Sequence, residues 1–132
     1  MKKAIRAAGA GLVVLALGSI SGAAQPQTQP LNRCFYNIDL ESWKAPDAQT
    51  MYLRIRGNRY FRVDLVSKCF RLTEPAVHLI TVFRGSNLVC SAVDWDLKVG
   101  QDIRDIPEPC IVKSMRPLTP AEVAAIPPKF KP

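Results

Sequence analysis

The amino-acid sequence predicts a mainly β (α+β) fold: a small antiparallel sheet or partly closed barrel of about six strands, stapled by disulfides, with one short C-terminal helix. Three observations lead to this prediction. Apolar and polar residues alternate on both sides of Gly57-Asn58, the 132-residue chain has four cysteines, and a helix start signal stands at Thr119. Alternation with a period of two is typical of strands that bury one face.

The first 24 residues have the three parts of a secretory signal peptide. A basic start at residues 1–6 precedes an apolar stretch at 10–20 and a run of small residues at 19–24. The apolar stretch is shorter than the roughly 20 residues that span a bilayer, which favours a cleaved signal over a retained membrane anchor. We expect cleavage after Ala24, or alternatively after Ala23, and a periplasmic or secreted protein without a transmembrane segment.

Much of the positive charge belongs to this signal. Residues 1–24 contain Lys2, Lys3 and Arg6 and no acid, so their removal lowers the formal net charge from +7 to +4. Domains that bind nucleic acid carry a stronger and more clustered positive charge. The composition of the exported chain therefore disfavours a nucleic-acid partner.

A flexible leader is predicted at residues 25–32, because residues 25–30 are polar and interrupted by proline. Residues 33–132 are expected to form a single small β-rich domain, since this length suits one domain. Its first strand is predicted at residues 34–43, and Pro46-Asp47 predicts the turn that follows.

Residues 51–66 predict a β-hairpin around Gly57-Asn58. A two-residue loop suits a type II′ turn and pairs Ile55 with Tyr60, but it mixes apolar and polar residues on each face. An offset register pairs Ile55 with Phe61 and Leu53 with Val63. It gathers six apolar residues on one face: Met51, Leu53, Ile55, Phe61, Val63 and Leu65. We expect the offset register, because burial decides which face points inward.

The second half of the chain predicts the remaining elements. Apolar runs and turn residues indicate paired strands at 77–83 and 88–95 around a turn at 84–87, a loop at 98–109 and a short strand at 111–115. Thr119-Pro120-Ala121-Glu122 matches a helix N-terminus with a capping box. Pro127-Pro128 end this helix near Ile126.

The four cysteines predict two disulfides, because their number is even and the exported chain meets an oxidising compartment. No two of them are close in sequence, as the ligands of a zinc site usually are. We expect Cys34–Cys110 with Cys69–Cys90, which ties the ends of the domain together. The main alternative is Cys34–Cys90 with Cys69–Cys110.

Several short motifs follow one another along the chain: Cys34-Phe35, Trp43 with Ala45 and Asp47, Tyr52-x-Arg54, Tyr60, Cys69, Cys90-Ser91 with Asp94, Cys110, residues 115–120 and Glu122-Val123-Ala124-Ala125. Their order resembles that of a family of small exported bacterial proteins known only as a domain of unknown function. The resemblance covers nearly all of the exported chain, and the four cysteines contribute most to it. It implies a signal peptide and a compact domain outside the cytoplasm, and it implies no activity.

Signals of enzyme chemistry are few. His78 is the single histidine, and the chain has no G-x-S-x-G turn, phosphate loop or dinucleotide fingerprint. Asp94 and Asp96 would share a face if they lay on one strand, where paired carboxylates can transfer protons or hold Ca²⁺. A solvated strand end is the preferred interpretation of this pair. We predict no cofactor, no metal and no catalytic residue.

The polar face of the hairpin is the candidate binding surface. In the offset register Arg54 and Arg62 stand opposite each other, and such a like-charge pair needs compensation. Either acids of the chain (Glu41, Asp47, Asp64 or Asp94) supply it, or an anionic partner does. The predicted anionic-partner face consists of Tyr52, Arg54, Arg56, Tyr60 and Arg62, with Asp64 beside them. Trp43 and Trp95 are expected in the core or at its edge.

Three functions follow from these features, in order of preference. The first is a non-enzymatic periplasmic or secreted binding module whose Tyr/Arg face recognises an envelope protein or an anionic polymer. The second is a secreted inhibitor of a hydrolase, which also suits a rigid disulfide-bonded domain. The third is a small hydrolase or metal-dependent enzyme that uses His78 or Asp94 and Asp96.

Overall fold

The computed structural model describes residues 31–82, 85–102 and 104–132. The predicted signal peptide at 1–24 and residues 25–30 of the predicted leader lie outside these described residues. Within them, nine strands and one α-helix follow in the order β1 (Phe35–Tyr36), β2 (Leu40–Asp47), β3 (Thr50–Ile55), β4 (Arg59–Leu65), β5 (His78–Val82), β6 (Leu88–Val89), β7 (Asp96–Gly100), β8 (Glu108–Pro109), β9 (Val112–Pro117) and α1 (Pro120–Ala125). Short 3-10 turns lie at Leu31–Arg33, Asn37–Asp39, Phe70–Thr73, Ala92–Asp94 and Pro128–Phe130.

The described strands form three antiparallel sheets and no closed barrel. The main sheet has the order β2-β3-β4-β9, a second has the order β5-β7-β8, and β1 pairs with β6. The predicted mainly β fold with one short C-terminal helix is therefore confirmed. The described chain has nine strands instead of about six, partly because three of them have only two residues.

Two of the predicted strands are divided. A 3-10 turn at Asn37–Asp39 separates β1 from β2, because the chain changes partners there: the Asn37 N–H bonds the Asn87 carbonyl, and the Asp39 carbonyl accepts from Arg56 N–H. The run at 88–95 forms a strand only at Leu88–Val89 and then turns through Ala92–Asp94. Strand β5 consequently pairs with β7, which occupies the start of the predicted loop.

The hairpin β3–β4 has the predicted faces in a different register. All six residues of the predicted inner face are buried, each at most 3 % exposed. The predicted pairs are wrong, since Leu53 stands opposite Phe61 and Ile55 opposite Arg59. Both offsets bury the same side, but the observed one closes a shorter loop, which costs less chain entropy. Gly57 and Asn58 permit the tight loop by adopting positive φ angles of 82° and 58°.

Aromatic rings from outside the main sheet complete the core. Phe35 meets Phe61 at 5.2 Å and Trp95 at 5.8 Å between ring centroids, both edge to face. The buried Trp95 donates from Nε1 to Thr81 Oγ1 at 3.0 Å, which satisfies its polar atom. Trp43 is half-buried and packs against the core. The prediction for both tryptophans is therefore confirmed.

The disulfides join Cys34 to Cys90 and Cys69 to Cys110, with Cα–Cα distances of 4.1 and 5.6 Å. Two disulfides are confirmed, but the preferred pairing was wrong and its main alternative is correct. Strand pairing is the reason, because β1 and β6 align Phe35 with Val89 and so bring the adjacent Cys34 and Cys90 together. One bridge thus fastens the small β1–β6 sheet.

Each disulfide is expected to contribute about 4 kcal/mol to the free energy of unfolding, because the bridges close loops of 56 and 41 residues. The double variants Cys34→Ser/Cys90→Ser and Cys69→Ser/Cys110→Ser should each lose about this amount in urea denaturation. Non-reducing peptide mapping of the wild-type protein is the control. A fragment joining Cys34 to Cys110 would contradict the pairing.

Candidate functional site

The Tyr/Arg face lies on the side of the main sheet that points away from the core. Tyr52 and Arg54 of β3 and Arg62 of β4 alternate with buried residues, and Arg56 follows β3 in the exposed loop. Tyr60 shares the alternation but is only 9 % exposed. The structure therefore brings the five predicted residues to one region of the hairpin, with Tyr60 covered.

The exposed arginines of this face are paired with acids of the chain. Nitrogen–oxygen distances are 3.2 Å for Arg54–Glu41, 3.2 Å for Arg56–Asp39 and 2.8 Å for Arg62–Asp64. The hydrogen bond to the Asp64 carboxylate is the main reason that the pKa of Arg62 is raised. Glu41 and Asp64 were among the predicted partners, and Asp39 was not. Internal pairing therefore supplies the compensation that the sequence required.

The like-charge pair of the sheet differs from the predicted one. Arg54 stands opposite Tyr60, and Arg62 stands opposite Arg116 of β9. Arg116 in turn bonds Glu122 of α1 at 2.8 Å. A small cavity of about 190 Å³ borders Tyr52, both arginines and Glu122. Because acids hold both guanidinium groups, this cavity offers an anion little excess positive charge.

A larger cavity of about 460 Å³ opens at the covered end of the face, beside Tyr60. Its walls are mainly apolar, two amides and two cationic side chains complete it, and none of its ten lining residues is acidic. The lining residues are Asn32, Asn58, Arg59, Tyr60, Pro117, Leu118, Pro120, Val123, Ala124 and Lys131. We call this cavity the Tyr60 pocket.

Local structure holds the walls of the Tyr60 pocket in place. The Leu118 N–H donates to the Tyr60 carbonyl at 2.8 Å, which fixes the end of β9 against β4. Thr119 then caps α1: its hydroxyl accepts from Glu122 N–H, while the Glu122 carboxylate accepts from Thr119 N–H at 2.8 Å. The capping box predicted from the sequence is therefore confirmed, and it places Val123 and Ala124 along the pocket.

The cationic side chains of the pocket differ from the arginines of the Tyr/Arg face. Arg59 Nη1 donates to the Cys34 carbonyl at 3.0 Å, and its guanidinium lies 5.8 Å from the Phe61 ring centroid. Within the described parts of the chain, neither Arg59 nor Lys131 forms a salt bridge. The pocket thus combines apolar walls with two cationic side chains that have no salt-bridge partner among the described residues.

Sequence reasoning missed Arg59 and Lys131 as site residues. Arg59 flanks the hairpin loop and resembles the neighbouring arginines in the sequence, while Lys131 lies beyond Pro127-Pro128, where no pattern assigns it to a site. An available signal was the count of arginines in the hairpin, since Arg54, Arg56, Arg59 and Arg62 outnumber its single acid. That count does not reveal which arginine stays unpaired.

The residues considered for enzyme chemistry lie apart from this pocket. His78 is exposed on β5, opposite Gly100. Asp94 belongs to the 3-10 turn Ala92–Asp94, so it does not share a strand face with Asp96 at the start of β7. No cluster of three or more His, Cys, Asp or Glu side chains suited to a metal ion occurs among residues 31–82, 85–102 and 104–132.

Asp94 has a structural role in the 3-10 turn that contains it. Its Oδ2 atom accepts from the Ser91 hydroxyl at 2.8 Å, from Ser91 N–H at 2.8 Å and from Cys90 N–H at 3.1 Å. These bonds, that from the Ser91 hydroxyl first, lower the pKa of the Asp94 carboxyl. A carboxylate that accepts three bonds from its own turn braces the chain beside the Cys34–Cys90 bridge.

The three hydrogen bonds that Asp94 accepts predict a pH-dependent stability. Because the pKa of Asp94 is lowered on folding, its stabilising effect is present above the ordinary value of about 3.8 and is lost as the pH falls through the lowered value. Asp94→Asn should therefore be less stable than the wild type in thermal unfolding at neutral pH, and the difference should shrink in acid. Ser91→Ala should reproduce part of this effect. A difference that stays constant with pH would contradict it.

None of the described helices is long and apolar enough to cross a membrane.

Among known proteins, the resemblance of this chain is to a family profile. Searches of curated proteins and of solved structures find no match to this chain. Residues 1–128, however, match the profile of a family of unknown function, DUF6491. Because this profile covers nearly the whole length of the chain, the chain belongs to the DUF6491 family.

Proposed function

We propose that this chain is an exported, non-enzymatic binding module whose Tyr60 pocket holds an anionic group attached to an apolar body. The observation that carries this proposal is the pair Arg59 and Lys131, which lines an otherwise mainly apolar cavity without an acid. A volume of about 460 Å³ is in the usual range for sites that hold small ligands or a protruding part of a partner.

Charge and burial favour this class of ligand. Arg59 is half-buried, and the bond from its Nη1 atom to a backbone carbonyl leaves donors on a planar group that suits carboxylates and phosphates. Val123 and Leu118 supply apolar surface beside it. A free inorganic anion would use only the charge, whereas an amphiphilic anion would use both parts of the pocket.

The arginines that form salt bridges would contact a bound partner beside the pocket. Tyr52, Arg54, Arg56 and Arg62 form the surface next to the pocket, and their exposed ion pairs can rearrange at little cost, since such pairs contribute only about 0–1 kcal/mol. An envelope protein or anionic polymer that inserts one acidic group into the Tyr60 pocket would contact this rim. The pocket would anchor the partner, and the rim would orient it.

The proposed location outside the cytoplasm rests on the sequence and is compatible with the disulfides. Residues 1–24 have the composition of a signal peptide, and both bridges need an oxidising compartment to persist. Together these two features support the proposed periplasmic or secreted location.

The pocket can be tested with anilinonaphthalene sulfonate, a fluorescent anion with an apolar body. It should bind at one site, and Lys131→Gln and Arg59→Gln should each weaken binding about tenfold, since a hydrogen bond to a charged group contributes about 1.5–3 kcal/mol. Lys129→Gln is the matched control, because Lys129 lies on the same tail but outside the pocket. Equal losses for Lys129→Gln and Lys131→Gln would indicate unspecific attraction and contradict the site.

Competition separates charge from apolar contact in the same assay. Decanoate should displace the probe, and decanol, which has the same chain without the charge, should displace it much less. If decanol competes as well as decanoate, the pocket is an apolar site and the anionic part of the proposal is wrong.

Export with cleavage of the signal peptide predicts the mass of the protein isolated from its own cells. It should begin at Gln25, or at Ala24 if cleavage follows Ala23, and should contain two disulfides and no free thiol. Intact-mass spectrometry with and without reduction measures both features. A chain that retains residues 1–24 with four reduced cysteines would refute the proposed location.

A further inference from the structure

The edge strands of the two larger sheets differ in how they are protected. An edge strand presents unpaired backbone groups, and proteins usually guard it with charges, proline, bulges or short length. Strand β2 contains Lys44 and Pro46 and two register shifts, and β9 contains Lys113 and Pro117 and one shift. Strand β8 has two residues and ends in proline. Three of the four edges of these sheets in the described chain are therefore guarded.

Strand β5, the remaining edge, has none of these guards. Its sequence His78-Leu79-Ile80-Thr81-Val82 contains no proline, no acid and no lysine or arginine. Leu79 packs against the core and Thr81 bonds the buried Trp95, so these two side chains point inward. The alternate residues His78, Ile80 and Val82 therefore point outward, and Val82 is 43 % exposed.

We propose that β5 is the contact of a symmetric dimer, in which the β5 strands of two copies of this chain pair antiparallel. The two-fold axis passes through Ile80, so that Ile80 faces its own copy and His78 faces Val82. Directly opposed residues share a face, so this register keeps both cores on one side of a continuous six-stranded sheet. A one-residue shift would place the cores on opposite sides and bring outward residues against inward ones.

The charges around β5 favour a second copy of this chain as the strand that pairs with its free edge. Self-pairing brings no lysine, arginine or acid of β5 against another, because β5 contains none of these residues. The nearest lysine beside the axis is Lys98 of β7, which pairs with Ile80. In the dimer the two Lys98 residues are three strand spacings apart, roughly 14 Å, which exceeds the screening length of about 8 Å at physiological salt. At this distance the two lysines repel each other little.

Sedimentation equilibrium of the disulfide-bonded chain from micromolar to millimolar concentration tests this dimer. The wild type should show a monomer–dimer equilibrium. Ile80→Lys should abolish the dimer, because it opposes two ammonium groups across the axis. Ser114→Lys, the same added charge on the exposed part of the guarded β9 edge, should leave the dimer unchanged. The near-ultraviolet circular dichroism of Trp95 reports that each variant is folded.

A mixture of variants keeps the test decisive. Ile80→Lys and Ile80→Glu should each be monomeric alone, and mixing them should restore a dimer through opposite charges at the axis. A wild-type chain that stays monomeric throughout the concentration range would overturn the proposal. So would a dimer that survives Ile80→Lys, or one that Ser114→Lys disrupts equally. None of these outcomes depends on the Tyr60 pocket, which is formed by other elements.

Discussion

The structure depends on burying one side of the β3–β4 hairpin. Strand side chains alternate between two faces, so burial of Met51, Leu53, Ile55 and their partners on β4 forces the arginines between them to the other face. The core of the small domain and its charged surface are thus two consequences of the same alternation. Phe35 of β1 contacts Phe61 on the apolar side and also contacts Trp95, so it connects the small β1–β6 sheet and the segment before β7 to the hairpin.

The two disulfides and the helix cap stabilise the segments that pack around this hairpin. A domain of about 100 residues buries a limited core, so constraints on the unfolded chain contribute a large part of its stability. Cys34–Cys90 fastens β1 and β6, and Cys69–Cys110 fastens the segments that flank the second sheet. The Thr119–Glu122 capping box starts a short helix at the end of β9, and that helix covers the Tyr60 end of the polar face.

Compensation of charge separates the arginines into two classes. Arg54, Arg56 and Arg62 each form a salt bridge with a carboxylate of the chain. Arg59 instead contacts a carbonyl and an aromatic ring, and no acid among the described residues forms a salt bridge with it. A surface rich in arginine is therefore close to neutral over most of its area and positive at one pocket. The proposed dimer edge lies on a different sheet, where the relevant property is the absence of charge.

The sequence by itself determined the mainly β class, the faces of the hairpin, the capped C-terminal helix and the number of disulfides. Each of these follows from local order: alternation, the Thr119 to Glu122 spacing, and an even cysteine count. Only the tertiary structure decided the register of the hairpin, the disulfide partners and which arginine of the hairpin has no salt bridge among the described residues. Two registers bury the same six side chains, so loop closure had to choose between them, and the pairing of β1 with β6 placed Cys34 beside Cys90. The positions of Arg59 and Lys131 around one pocket depend on a contact between the hairpin and the C-terminal segment, residues far apart in sequence, which no local pattern encodes.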